Sequence, residues 1–141
     1  MDISGTILTV CDHLYPGAYR AVEHDGAVYM LKGDHQFNGD NQFIDDIKEQ
    51  TGVEITFFYQ DTRVITTIYQ NGSRIIGTGV NAVVYKEVIQ NGQPAFYDGV
   101  EIENEMHFAY YTPIFDAKEK CIGMLSVAKP TKEVVHSKMK S

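Results

Sequence analysis

Arg63 is the residue in this sequence that is best suited to binding a ligand. It lies in residues 61–69, a run of β-branched and aromatic residues that is typical of a β-strand. A guanidinium carries a permanent charge, and burying that charge is costly unless an anion or water meets it. A carboxylate can meet it through two parallel hydrogen bonds. Three partners remain open at this point: water, a protein carboxylate such as Asp61, or an anionic ligand.

The strand that carries Arg63 also determines which residues lie beside it. If residues 62–70 form one regular strand, successive side chains point to opposite faces. One face then carries a packing set, Val64, Thr66 and Ile68, and the other carries a mixed set, Arg63, Ile65, Thr67 and Tyr69. The mixed set contains a cation, a hydroxyl and a phenol, which suits a small polar cavity.

Aromatic residues on neighbouring predicted strands add hydrogen-bonding groups to this cavity. A tyrosine combines an apolar ring with a hydroxyl that can bind a partner. The predicted ligand-binding residues are Arg63, Thr67, Tyr59, His107, Tyr111 and Tyr110. Together they predict a pocket for a small carboxylate.

The sequence does not favour catalysis, a metal or a cofactor. No nucleophile, base and orienting group occur together, so an enzyme is not expected. The histidines lack ligand spacing, and residues 34–45 match a calcium-binding loop only partly, so a solvated loop is favoured over a metal site. A bound haem or flavin is an alternative for which His107 is the one candidate axial ligand. No cofactor is predicted.

The bulk composition indicates one ordinary globular domain, residues 1–141. The formal net charge of −7 argues against nucleic-acid binding. Cys11 and Cys121 are too few for a disulfide scaffold, and free thiols are expected. No apolar run is long enough to span a membrane, and no signal peptide is visible, although the chain could be part of a membrane protein.

The order of predicted elements gives an α+β fold with a five- or six-stranded antiparallel sheet. Residues 1–26 are an N-terminal helical region, 27–130 the core, and 131–141 a C-terminal helix. The predicted helices are residues 2–14, residues 41–51 with Gly52 as the stop, and a short crossover helix after Gly79. Residues 33–41 are predicted to be a loop. The predicted strands are residues 27–31, 53–60, 62–70, 95–102, 107–115 and 121–128, of which the last three form a meander.

Several sequence blocks resemble a known family. They are residues 61–67, residues 72–78, the run Tyr111-Thr112-Pro113-Ile114-Phe115-Asp116, and residues 122–130, beginning Ile122-Gly123-Met124-Leu125. In this order they resemble the extracytoplasmic single Cache domains of bacterial methyl-accepting chemotaxis receptors and related sensors. The resemblance covers residues 27–130.

The resemblance implies a PAS-like sheet with a long N-terminal helix across one face, short crossover helices and a ligand pocket on the other face. It implies a sensor module in signal transduction and chemotaxis that dimerises through the N-terminal helix. It also implies an extracytoplasmic location in a membrane receptor, with flanking membrane helices and the C-terminal helix leading toward the membrane. The alternative is a PAS-like dimerisation scaffold that binds no ligand.

Related sensor kinases recognise citrate and dicarboxylates with cationic residues on the central strands. Arg63 is a cationic residue of the same kind on a predicted central strand. This chain has Ile65-Thr66-Thr67 where those kinases have a Ser-His-Pro run. The resemblance therefore implies a smaller anion or an amphipathic metabolite.

Overall fold

The chain folds around one antiparallel sheet, and the computed structural model describes residues 3–132. In chain order the elements are α1 (Ile3–Leu14), β1 (Tyr19–His24), β2 (Ala27–Lys32), β3 (His35–Gln36), α2 (Asn41–Thr51), β4 (Glu54–Tyr59), β5 (Thr62–Thr66), β6 (Tyr69–Gln70), β7 (Ser73–Arg74), α3 (Ala82–Val84), a π-helix (Tyr85–Gln90), β8 (Ala95–Ile102), β9 (Glu105–Phe115) and β10 (Cys121–Pro130). The predicted C-terminal helix, residues 131–141, lies outside the described residues from position 133 onward.

The main sheet has five strands in the order β5-β4-β10-β9-β8. Strand β10 is central and pairs antiparallel with β9 on one side and β4 on the other. Strands β8, β9 and β10 form the predicted meander, and the predicted α+β fold with an antiparallel sheet is confirmed. Strands β5 and β8 are therefore the opposite edges of the sheet.

Both faces of the sheet are covered, and β10 supplies side chains to each. On one face, α1 and α2 pack Ile7 and Ile44 into a core with Leu125. On the other, α3 and the π-helix pack with Met124 in a smaller core. Full burial of such a side chain stabilises the fold by about 1.5–3 kcal/mol, so β10 contributes to stability on both faces of the sheet.

The predicted N-terminal helical region, residues 1–26, is wrong beyond the first helix. Helix α1 ends at Leu14, and Tyr19–His24 form strand β1, which pairs with β2. Gly17 makes this change of direction possible, because its φ is +114° and a Cβ there would lie 2.7 Å from the Gly33 Cα atom. Strand β1 is almost entirely exposed, so it has no alternating apolar pattern by which a strand would be predicted.

The predicted loop at residues 33–41 contains a core residue. His35–Gln36 form strand β3, and Phe37 is fully buried with its ring centroid 4.7 Å from that of Phe57. The Asn38 side chain accepts from the Met30 backbone N–H at 2.8 Å and donates to the Val28 carbonyl oxygen at 3.1 Å. The polar residues of this segment therefore hold β2 in place. Within residues 3–132, no three metal-ligating side chains come together.

Candidate ligand-binding cavity

A cavity of about 650 Å³ lies over the face of the sheet that carries α3. This volume is in the range of about 300–1,000 Å³ that small-molecule sites occupy. Its floor consists of residues on β4, β9 and β10, namely Thr56, Phe58, Ala109, Tyr111, Ser126 and Ala128.

The walls of the cavity come from the two edges of the sheet. The first wall is Arg63 on β5 with the segment that follows it, Ile68, Tyr69, Gln70, Asn71 and Ile75. The second is the end of β8 and its turn, Val100, Glu101, Ile102, Glu103 and Asn104. Each wall ends in a tight two-residue hairpin turn in which both residues have positive φ. The φ angles are 53° and 82° at Asn71-Gly72, and 51° and 67° at Glu103-Asn104. Asn and Gly are favoured at such positions.

The first wall is fastened to helix α2. Arg74 donates through Nη1 to Asp45 Oδ1 at 2.9 Å and through Nη2 to Asp45 Oδ2 at 2.6 Å. Its Nη1 also donates to the Thr66 carbonyl oxygen at 2.9 Å, and its Cζ lies 5.0 Å from the centroid of the Tyr69 ring. A two-pronged pair of this kind fixes geometry as well as adding energy, so it holds the β6–β7 hairpin over the cavity.

The alternation predicted for residues 62–70 is wrong, because β5 contains a bulge. Ile65 lies opposite Phe57, whereas Arg63 lies opposite Phe58, so β5 has one extra residue between these pairs. Val64 and Ile65 both enter the core beneath the helices. Arg63 consequently shares the cavity face with Phe58, and Ile65 and Thr67 do not accompany it.

The guanidinium of Arg63 is held without a carboxylate. Its Nη1 donates to the Gly79 carbonyl oxygen at 2.8 Å and to Thr78 Oγ1 at 3.1 Å. Its Nε is buried with no hydrogen-bond partner, and among residues 3–132 it forms no ion pair. Burial lowers the pKa of the guanidinium, although arginine stays charged. The side chain therefore keeps donors for an anion that enters the cavity.

Tyr111 contributes a neutral phenol to the cavity floor. Burial raises the pKa of Tyr111, while a hydrogen bond with the Ser126 side chain and the positive charge of Arg63 act in the opposite direction. The side chain stays protonated at neutral pH. It can therefore donate a hydrogen bond close to Arg63.

The other four predicted ligand-binding residues do not line the cavity. Thr67 Oγ1 donates to Glu54 Oε1 at 2.7 Å and accepts from the Ile55 N–H at 2.9 Å. Tyr59 packs against the core beneath α1 and α2. Tyr110 packs on Phe96, with ring centroids 4.8 Å apart, and buried His107 places Nδ1 2.9 Å from the Glu105 carbonyl oxygen. Contact between these four residues and a ligand remains a prediction. Their positions outside the cavity do not support it.

Several lining residues were not predicted from the sequence. They are Phe58, Gln70, Asn71, Glu101, Glu103, Asn104 and Ser126. The sequence marks Asn71-Gly72 and Asn104 as turns, but no local signal shows that two turns far apart in the chain border one cavity.

Comparison with known families identifies the class of domain that this fold and cavity define. A family model described as single cache domain 3 matches residues 35–141, which is more than half of the chain. The chain therefore belongs to the single Cache family, as the sequence blocks predicted. Domains of this family are ligand-binding sensor modules in signalling that are typically extracellular and generally non-catalytic. No curated protein gives a significant match to the chain.

Crossing a membrane requires a long apolar helix. Among residues 3–132, no helix is long and apolar enough to cross a membrane.

Proposed function

We propose that this domain senses a small molecule that carries a carboxylate, which Arg63 binds in the cavity. The observation that supports this most strongly is the state of Arg63: a guanidinium lining a cavity, with a buried Nε that has no partner. A buried donor without a partner costs about 1–3 kcal/mol. A carboxylate in the cavity would form charge-assisted hydrogen bonds with the guanidinium and offset part of the cost of burying its charge.

The surroundings of Arg63 suit one carboxylate. The Phe58 ring lies under the guanidinium, with Cζ 5.1 Å from the ring centroid, so the planar group is oriented before a ligand arrives. Tyr111 and Ser126 supply further hydroxyl groups on the floor. Arg63 is the one cation among the lining residues, which favours a single carboxylate over a di- or tricarboxylate.

The alternative function is a dimerisation scaffold without a ligand. Such a domain would fill the space above Arg63 with side chains, or would pair Arg63 with a protein carboxylate. The open cavity and the unpaired guanidinium support ligand binding instead.

Calorimetric titration tests the proposal. Acetate, propionate, pyruvate and valerate are each titrated into the wild type and into Arg63→Gln. The matched control is Arg20→Gln, because Arg20 is exposed and its Nε donates to the Gly33 carbonyl oxygen away from the cavity. We expect at least one acid to bind the wild type and the control, and to bind Arg63→Gln at least about tenfold more weakly. Equal binding by Arg63→Gln would contradict the role of Arg63.

We place the domain in a bacterial receptor, such as a chemotaxis receptor, in which it forms a homodimer through α1. Two exposed apolar residues one turn apart, Val10 and Leu14, support the dimer. Two contacts of β9 support a route for the signal: Tyr111 lines the cavity, and the next residue, Thr112, donates to Ser4 of α1 at 3.1 Å. A ligand that shifts β9 would therefore shift α1.

Light scattering tests the dimer. We expect the wild type to have the mass of a dimer, and the double variant Val10→Glu, Leu14→Glu to have the mass of a monomer with an unchanged circular dichroism spectrum. A wild type that stays monomeric at millimolar concentration would exclude a dimer formed by this domain alone.

A further inference from the structure

Each wall of the cavity carries a pair of aliphatic side chains. Ile68 and Ile75 line the first wall, and Val100 and Ile102 line the second. All four residues are only partly buried. Apolar surface that faces water gains free energy when an apolar group covers it. The two walls therefore favour a ligand with an apolar part.

The pairing of the β6–β7 hairpin turns Ile68 and Ile75 toward the cavity. Tyr69 lies opposite Arg74 in this hairpin. The Ile75 backbone N–H donates to the Ile68 carbonyl oxygen at 3.1 Å, so the two isoleucines are the next pair of cross-strand neighbours. Because successive residues of a strand point to opposite faces, the isoleucines lie on the face opposite Arg74. Arg74 binds Asp45 of α2 from its own face, which leaves the isoleucine face for the cavity.

These two isoleucines have no place in the apolar interior of the domain. Neither belongs to the core beneath α1 and α2 or to the smaller core beneath α3. The next residue, Ile76, is 49% exposed and does not line the cavity. Ile68 and Ile75 are thus the apolar side chains that the hairpin offers to a ligand.

The pairing of β8 with β9 places the second aliphatic pair on the same face of the sheet. Val100 lies opposite His107, and Ile102 lies opposite Glu105. Both Val100 and Ile102 pack at the margin of the smaller core. Glu101, which lies between them in the strand, points to the other face. The side chains that the end of β8 turns into the cavity are therefore aliphatic.

We infer that the ligand is a carboxylate with a short aliphatic chain, which lies between the Ile68–Ile75 pair and the Val100–Ile102 pair. The cavity volume of about 650 Å³ leaves room for such a chain beside the carboxylate. A hydroxyl or charged group at the far end of the chain would lie among side chains that offer no hydrogen bond, which is costly. The inference rests on the proposed function, because it assigns the class of ligand to the same cavity.

A series of acids tests the inference by calorimetry on the full chain. The series is acetate, propionate, butyrate and valerate. We expect the affinity to rise about twofold to fourfold with each methylene group, the gain that its burial brings. 4-Hydroxybutyrate has nearly the shape of valerate, with a hydroxyl group in place of the terminal methyl group. We expect it to bind at least about fivefold more weakly than valerate.

Variants of the two walls assign the effect to their residues. In the double variant Ile68→Ala, Ile102→Ala, the gain for each methylene group should fall below about twofold. Val100→Thr replaces one methyl group with a hydroxyl group and changes the packing less. It should narrow the difference between valerate and 4-hydroxybutyrate. The matched control is Ile76→Ala, which should bind the whole series as the wild type does.

The outcomes separate the two proposals. Equal affinity for all four acids, 4-hydroxybutyrate binding as tightly as valerate, or an unchanged series in the double variant would each overturn the inference. Weaker binding by Arg63→Gln would still support the proposed function in those cases. A series that rises with chain length but binds Arg63→Gln as tightly as the wild type would overturn the role of Arg63 and leave the aliphatic site intact. If no acid binds the wild type, both proposals fail.

Discussion

Arg63 and Phe58 are cross-strand partners, and the guanidinium of one lies over the ring of the other with Cζ 5.1 Å from the ring centroid. A contact of this type contributes about 0.5–2 kcal/mol. Together with the hydrogen bond to the Gly79 carbonyl oxygen, it fixes the side chain while leaving other donors unused. The arginine is therefore positioned for an anion before the anion binds, which reduces the ordering cost of binding.

Replacing Arg63 with methionine should separate binding from stability. Methionine keeps a flexible apolar stem on the Phe58 ring and removes a charge whose burial is unfavourable. We expect the free energy of unfolding in urea to stay within about 1 kcal/mol of the wild type or to rise, whereas calorimetric binding of the carboxylate is lost. A loss of several kcal/mol of stability would instead identify Arg63 as a structural brace.

Thr67→Val should reduce stability and leave affinity unchanged. The change removes the donor to Glu54 Oε1 and the acceptor for the buried Ile55 N–H, at a cost of about 1–3 kcal/mol. Urea unfolding measures the cost and calorimetry measures the affinity. The exposed Ser73→Ala serves as the control, with an expected change of less than about 0.5 kcal/mol. Weaker ligand binding by a folded Thr67→Val protein would restore the ligand-contact role predicted for this residue.

Asp45→Asn should make stability less dependent on acid pH. The hydrogen bonds from Arg74 lower the pKa of Asp45 below its ordinary value of 3.8 in the folded state. The pair therefore stabilises the fold fully above that value, and its contribution disappears as the pH falls through the lower folded-state pKa. At neutral pH we expect a loss of about 1 kcal/mol, kept small because the Asp45 side chain is 40% exposed.

Urea unfolding at several pH values checks this prediction. The difference in stability between wild type and Asp45→Asn should shrink toward acid pH. The exposed Asp34→Asn is the control and should follow the wild type throughout. A difference that stays constant down to about pH 2 would show that Asp45 acts through something other than its charge.

Gly123→Ala should disrupt the centre of the sheet. A Cβ at this position would lie 2.0 Å from the Phe58 carbonyl oxygen, a backbone atom that cannot move without shifting β4. We expect a loss of about 3 kcal/mol or more in thermal or urea unfolding. In Gly5→Ala, an exposed helical position with open space around the new methyl group, we expect a gain of about 0.5–1 kcal/mol. If Gly123→Ala were as stable as the wild type, strands β4 and β10 would have to lie farther apart than they do in the structure.

The sequence by itself determined the features that depend on neighbouring residues. Gly52, with φ of +77°, ends α2 as predicted, because a residue without Cβ adopts the left-handed conformation without strain. Asn71-Gly72 forms the predicted hairpin turn for the same reason. The short turns that link β8, β9 and β10 predicted the meander, and the order of the blocks identified the family.

Only the tertiary structure decided which residues meet in the cavity. The bulge opposite Phe57 and Phe58 places Arg63 on the cavity face and sends Ile65 to the other, because a shift of one residue reverses every side chain beyond it. Val100 joins the site through strand pairing across the whole sheet, which no local pattern encodes. Turn and helix preferences act within a few residues, whereas register and burial depend on strands that are distant in sequence. The sequence therefore identified Arg63 as a candidate, and the fold decided its neighbours.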